Sequence, residues 1–265
     1  MPGTKVFCFM LSMPERSAVD RLQSFRDFVT NVYHSTAIVL FCNRPVPVHQ
    51  IDIDQYWSNA LSLLSVTEIE TANRFYRDIN RRDYVFAHAI LRLLLSMQCG
   101  VDSKEIRFAT GKYGKPVLAF PANGVCFNLS YGDGLLVIAL SESAVGLDIE
   151  KLRSDIDIIA ISRRYFAAEE QSFMDAATIE EKRERFFWLW SRKEALIKAA
   201  GTGLDTLASF STMGSFVIVH NEFGQVRNFF LYSFSPLREH SFAIAIQLFS
   251  VLIDSRHFID DTNLP

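Results

Sequence analysis

The 265-residue chain carries 27 Lys and Arg against 30 Asp and Glu, a net charge of −3 with a pI near 6.1. That balance excludes a broadly basic surface for nucleic acid or an anionic membrane, so an anionic ligand must be met by a few placed residues. Hydrophobic residues make up 49% and charged residues 22%, the composition of a globular chain able to bury a substantial core as one large domain or two halves.

Cys8, Cys42, Cys99 and Cys126 stand singly with no C-x-x-C, which indicates neither a zinc framework nor a disulfide scaffold; reduced thiols and a cytoplasmic location are expected. The N-terminal KVFCFMLSM is a short apolar run without a convincing cleavage site, and is read as structure. No segment approaches the roughly 20 apolar residues of a membrane span.

Residues 1–35 form an extension of unassigned structure, within which AVDRLQSFRDFVTNVY spaces Val19, Leu22, Phe25 and Val29 as a helix does. STAIVLFC, 35–42, is β-branched and bounded by Asn43-Arg44-Pro45, the pattern of a strand. Residues 55–64 look helical. So does the whole of VTEIETANRFYRDINRRDYVFAHAILRLLLSMQCG, with Thr67 and Glu70 spaced as a capping box and Gly100 as the stop. EIRFAT, PVLAF, VCFNLSY and LLVIALS follow as short runs punctuated by Gly111, Gly114-Lys115-Pro116, Asn123-Gly124 and Gly132-Asp133-Gly134, the rhythm of antiparallel sheet. VGLDIEKL begins another strand, residues 157–200 read as helical, and SFVIVH, FFLYSFS and FAIAIQLF end the chain as strands. The order repeats, which predicts an α+β protein of two similar halves, 36–143 and 144–265.

Three stretches carry candidate chemistry. In VGLDIE, period two puts Asp148 and Glu150 on one strand face and Val145, Leu147 and Ile149 on the other. Two like charges so placed are either open to water, paired with cations, or a site for a hard cation such as Mg²⁺. In FFWLWSRKEALIKAAGTGL, 186–204, Trp190, Glu194 and Lys198 follow each other at i, i+4, as a surface salt bridge or as one wall of a site. GKYGKP, 111–116, with FNLSYGDG just beyond it, offers glycines for close backbone approach, Lys112 and Lys115 for phosphate, and the Ser130 hydroxyl. It lacks the spacing of a Walker loop and equally fits an ordinary hairpin turn.

In order, GKYGKP, FNLSYGDG, VGLDIE and WSRKEALIKAAGTGL resemble the signature of the surfactin-type 4′-phosphopantetheinyl transferases, of the holo-acyl-carrier-protein synthase superfamily, over roughly residues 67–210. The resemblance implies a pseudo-twofold pair of α+β halves with coenzyme A in the cleft between them. It implies transfer of phosphopantetheine to a serine of an apo acyl, peptidyl or aryl carrier protein, with release of adenosine 3′,5′-bisphosphate. Such enzymes serve fatty acid, polyketide and nonribosomal peptide synthesis. By resemblance Asp148, Glu150 and Glu194 are ligands of Mg²⁺, with Mn²⁺ as the alternative. Glu194 and Lys198 are catalytic, Lys198 also lying near the pyrophosphate. Lys112, Gly114, Lys115, Pro116, Ser130 and Tyr131 belong to the coenzyme A pocket, and Arg74, Arg81 and Arg82 are candidates for its 3′-phosphate. Glu170 in YFAAEE matches a glutamate of the family, and Arg92 an arginine inside an apolar helix. Where the family commonly has F-N-[LI]-S-H-S, this chain has Tyr131, which can donate a hydrogen bond but brings no positive charge. A monomer without nucleic-acid or membrane partners is expected. The alternative is a non-catalytic relative that binds coenzyme A or a carrier as a scaffold or regulator.

Overall fold

The computed structural model describes residues 6–11, 37–43, 53–122, 124–132, 135–220, 226–234 and 239–248. The helix expected at 18–33 lies outside them. Strand β1 (Val6–Leu11) pairs parallel with β2 (Ala37–Asn43), so part of the N-terminal extension joins the first sheet. Helices α1 (Ile53–Leu63), α2 (Val66–Asn73) and α3 (Asp78–Cys99) follow. Next come the hairpin β3 (Arg107–Thr110) and β4 (Pro116–Phe120), then β5 (Cys126–Gly132) and β6 (Leu135–Ser141). The second half runs β7 (Val145–Lys151), α4 (Ile158–Tyr165), α5 (Ala168–Asp175), α6 (Ile179–Ala200), a 3₁₀ turn (Leu204–Ser209), β8 (Phe216–His220), β9 (Val226–Phe234) and β10 (His240–Leu248).

The strands form two four-stranded sheets, β1-β2-β6-β5 and β7-β10-β9-β8, and the separate β3-β4 hairpin. The alternation of apolar residues sets the layers. On the first sheet Phe127, Leu136, Ile138 and Leu140 face α3 through Leu91, Leu94 and Leu95. On the second, Val217, Val219, Phe229, Leu231, Ala243 and Ala245 face α6. The opposite faces meet each other, Val137 and Ala139 against Val145, Leu147, Phe242, Ile244 and Ile246. The result is helix, sheet, sheet, helix.

Both long helical segments differ from their sequence reading. Residues 66–100 do not form one helix but break at Arg74–Arg77, and residues 157–200 form three helices. The N-terminal box of α2 is Ser65 with Glu68, not Thr67 with Glu70. Buried ion pairs explain the break within 66–100, the shifted box and the break between α5 and α6. Glu68 accepts from the Ser65 backbone N–H at 2.7 Å and from Arg92 Nε at 2.8 Å. In one straight helix these residues, 24 apart in sequence, would be about 36 Å apart. The chain must turn back to join them, and Phe75 packs on Tyr84 across the turn.

The second half repeats this frame. Glu170 accepts from the Ala167 backbone N–H at 2.7 Å and pairs with Lys193 Nζ at 2.8 Å. Ala167 has no side-chain acceptor, so only half of a capping box exists there. Arg92 donates on to the carbonyls of Ser103 and Ile106, and Lys193 to those of Leu207 and Phe210. Each cation sits roughly two turns before a left-handed glycine, Gly100 at φ 68° and Gly201 at φ 67°, that ends a 22-residue helix. The predicted internal similarity is thus carried by a Glu–cation brace with different cations, which no residue-by-residue repeat would reveal.

Candidate active site

Strand β7 and helix α6 build the site together. Gly146 lies directly beneath α6: a Cβ there would stand 2.1 Å from the Ala195 carbonyl oxygen and 2.3 Å from the Ala199 nitrogen. The glycine therefore makes room for helix backbone rather than for a ligand. Asp148 and Glu150 continue the same strand face, and Glu194 and Lys198 meet them from the helix.

Lys198 Nζ donates to Asp148 Oδ1 at 2.5 Å, and Ser130 Oγ donates to the same oxygen at 3.3 Å. Asp148 is 4% exposed, and its Oδ2 is buried with no hydrogen-bond partner. Burial, then the Asp148 charge, pushes Glu150 up to about 7; Lys198 and Arg153 oppose this and Glu194 adds to it. Burial also raises Glu194, opposed by Lys198 and aided by Asp148. For Lys198 burial alone would lower the pKa, but Asp148, and beyond it Glu194 and Glu150, outweigh burial and raise it. One buried and two half-buried carboxylates thus lie in the field of one ammonium, which pairs with Asp148.

Ser130 reaches Asp148 because β5 runs beside β7. Its neighbour two residues earlier, Asn128, is 4% exposed and accepts the Leu147 backbone N–H on Oδ1 at 2.8 Å. A side chain here takes a ladder bond that a neighbouring strand would otherwise provide. Sequence reading missed Asn128, although period two puts it on the Ser130 face. It also missed the destination of Lys115, whose Nζ donates to Val145 O at 2.7 Å and Lys198 O at 2.8 Å. Burial pulls that ammonium down to about 8.

The remaining expected residues are more dispersed. Gly114 holds φ 81° in the β3–β4 turn, where a Cβ would be strained, and Pro116 opens β4. Lys112 is exposed beside the Tyr113 ring. Tyr131 points away from Ser130 and packs against the cluster that holds Tyr84, and burial with the neighbouring Tyr84 and Asp83 pushes its phenol up to about 12. Arg74, in the break after α2, and Arg82, on α3, are exposed. Arg81 differs from them: its guanidinium lies 5.5 Å over the Trp57 ring and its Nε is buried without a partner. Arg92 and Glu170 are braces, as described above.

Two adjoining family models cover this arrangement. Residues 144–247 match the 4′-phosphopantetheinyl transferase superfamily and residues 52–143 match its N-terminal model. The chain is 34% identical over 168 residues to the 4′-phosphopantetheinyl transferase HetI of Nostoc sp., covering 61% of this chain and 71% of that one. The chain belongs to the 4′-phosphopantetheinyl transferase family. It is also 32% identical over 152 residues to the 4′-phosphopantetheinyl transferase Sfp of Bacillus subtilis, covering 57% of this chain and 66% of that one. A further relative of this transferase is the 4′-phosphopantetheinyl transferase gsp of Aneurinibacillus migulanus, 32% identical over 156 residues, covering 58% and 63% of the two chains.

The transferase's carboxylates do not stand as a ready metal cage. Among the described residues no three of His, Cys, Asp and Glu converge closely enough to hold an ion, and Lys198 takes the Asp148 oxygen instead. The donor types nonetheless fit a hard cation: all are oxygens, one is orphaned and buried, and the other two carboxyls are raised chiefly by burial, a cost that a bound cation would relieve. Among the described residues no helix is long and apolar enough to cross a membrane.

Proposed function

We propose that this transferase moves 4′-phosphopantetheine from coenzyme A to a serine hydroxyl of an apo acyl, peptidyl or aryl carrier protein, releasing adenosine 3′,5′-bisphosphate. The observation that carries the reading is the junction of β7 and α6, where the Lys198 ammonium pairs with Asp148 and is held charged by Asp148, Glu194 and Glu150 together. Asp148, Glu150 and Glu194 would hold Mg²⁺, which when bound neutralises charge on the diphosphate and the leaving phosphate.

The chain's own residues supply the rest. A serine hydroxyl is a poor nucleophile near neutral pH, and Glu194, its pKa raised by burial, is suited to take the proton as the hydroxyl attacks. Lys198 donates to the non-bridging oxygens on which charge grows. Ser130 and the turn at Gly114 offer a hydroxyl and close backbone approach to the pantetheine phosphate. Lys112 remains exposed for a distal phosphate. Of the three arginines, Arg81 is the best candidate for the 3′-phosphate, because it is ordered on Trp57 and its Nε has no partner. Tyr131 serves as a hydrogen-bond donor at most, and Lys115 has its ammonium on two carbonyls.

Incubation with coenzyme A, Mg²⁺ and a panel of apo carriers should add the mass of one phosphopantetheine to at least one carrier. No gain across the panel would overturn the proposal in favour of a non-catalytic binder. Asp148→Ala should lower the rate by at least about 10²-fold, as loss of an electrostatic stabiliser does.

The cation itself is tested by stability. Without metal, the raised Glu150 keeps a proton in the folded state that the unfolded chain releases near its ordinary 4.5. Stability therefore falls as pH rises from 4.5 to about 7, and the cost is fully present above that window. A divalent cation on the carboxylates relieves the cost, so the Mg²⁺-induced rise in Tm should be larger at about pH 8 than at about pH 5. Equal rises at both would count against these ligands.

A further inference from the structure

We propose that Lys115 is a positioning residue that clasps α6 to β7, not a ligand for the diphosphate. Its place in GKYGKP invites the phosphate role, but the geometry directs the ammonium elsewhere. Nζ bridges the carbonyl of Val145, at the start of β7, and the carbonyl of Lys198, in the last turn of α6. A lysine so placed satisfies one of the helix's terminal carbonyls and meets the negative end of its dipole. The backbone it holds belongs to Lys198, the residue whose side chain reaches Asp148.

A second contact from the same turn acts in the same direction. Tyr113 packs on the chain just past α6: a Cβ on Gly203 would come within 2.8 Å of its ring. The turn is itself fixed, with Gly111 N–H donating to Lys115 O at 2.8 Å and Gly114 N–H to Gly111 O at 3.0 Å. The first half of the molecule thus grips the C-terminal end of α6 at Lys198 and at Gly203. Sliding of α6 along β7 would move Glu194 and Lys198 together relative to Asp148 and Glu150, and the clasp opposes that slide.

The test compares Lys115→Met and Lys115→Gln with Lys115→Cys alkylated by 2-bromoethylamine, which restores an ammonium at nearly the original length. Amide hydrogen exchange is read across residues 145–150 and 194–203, and kcat and KM for coenzyme A are measured separately. The kinetic arm rests on the reaction proposed above, whereas the exchange arm does not, so failure of one is distinguishable from failure of the other. The Met and Gln variants should exchange faster in those two segments alone. Their kcat should drop on the order of 10²-fold, as about 1 Å of misplacement can cause, with KM for coenzyme A nearly unchanged. The alkylated cysteine should recover both. A rise in KM at unchanged kcat and exchange would assign the ammonium to the ligand and overturn the clasp. Unchanged exchange, or global unfolding of both the Met and Gln variants, would equally overturn it.

Discussion

Glu170→Leu is expected to destabilise the protein by about 3–5 kcal/mol in chemical denaturation, the cost of leaving a buried ion without its partner. Both members of the Glu170–Lys193 pair are fully buried. Glu170 Oε1 also accepts from the Thr212 backbone N–H and hydroxyl, each at 2.8 Å, so the carboxylate joins α5, α6 and the segment leading to β8. Lys193 cannot move to water. Burial lowers its pKa while Glu170 holds it up, so removing the carboxylate pushes the amine toward its neutral form. The double variant Glu170→Leu/Lys193→Met should recover much of the loss, because an apolar pair of similar volume removes both desolvation costs. A double variant as unstable as the single one would show that the Thr212 bonds, not the ion pair, dominate.

Gly146→Ala should cost at least about 3 kcal/mol, the upper end of ordinary overpacking, because the added methyl meets backbone and not a flexible side chain. Its contacts at 2.1 Å to Ala195 O, 2.3 Å to Ala199 N and 2.8 Å to Lys198 C leave no rotamer to escape into. α6 must lift away from β7, and the loss should fall on catalysis as well as stability, since Glu194 and Lys198 ride on that helix. Thermal unfolding and single-turnover rates check the two effects. Wild-type values in both would show that the strand yields instead.

The site was more legible in the sequence than the helix boundaries around it. Period two put Asp148 and Glu150 on one face, and the i, i+4 spacing put Glu194 and Lys198 on one strip; the packing of β7 on α6 agrees with both. What periodicity lacks is the relation between strips: that Lys198 lies on Asp148 follows from how α6 crosses β7, a tertiary fact. The breaks within 66–100 and 157–200 were hidden for a related reason. No proline or glycine marks Arg74–Arg77, and Ser65-x-x-Glu68 and Thr67-x-x-Glu70 are equally good boxes in isolation. Burial chooses between them, since Glu68 must reach Arg92 and Glu70 is exposed. The motif alone directs Lys115 to phosphate, and only the fold reveals the two carbonyls it serves.

The amide of Asn128 gives the molecule an unusual seam. Two sheets that share no strand are stitched where one side-chain oxygen accepts the Leu147 N–H, beside Ser130 and Asp148. Because that stitch is a side chain, the strands on either side need not match in register or length. Each half is free to change its outer strands without disturbing the alignment of the hydroxyl on one with the carboxylate on the other.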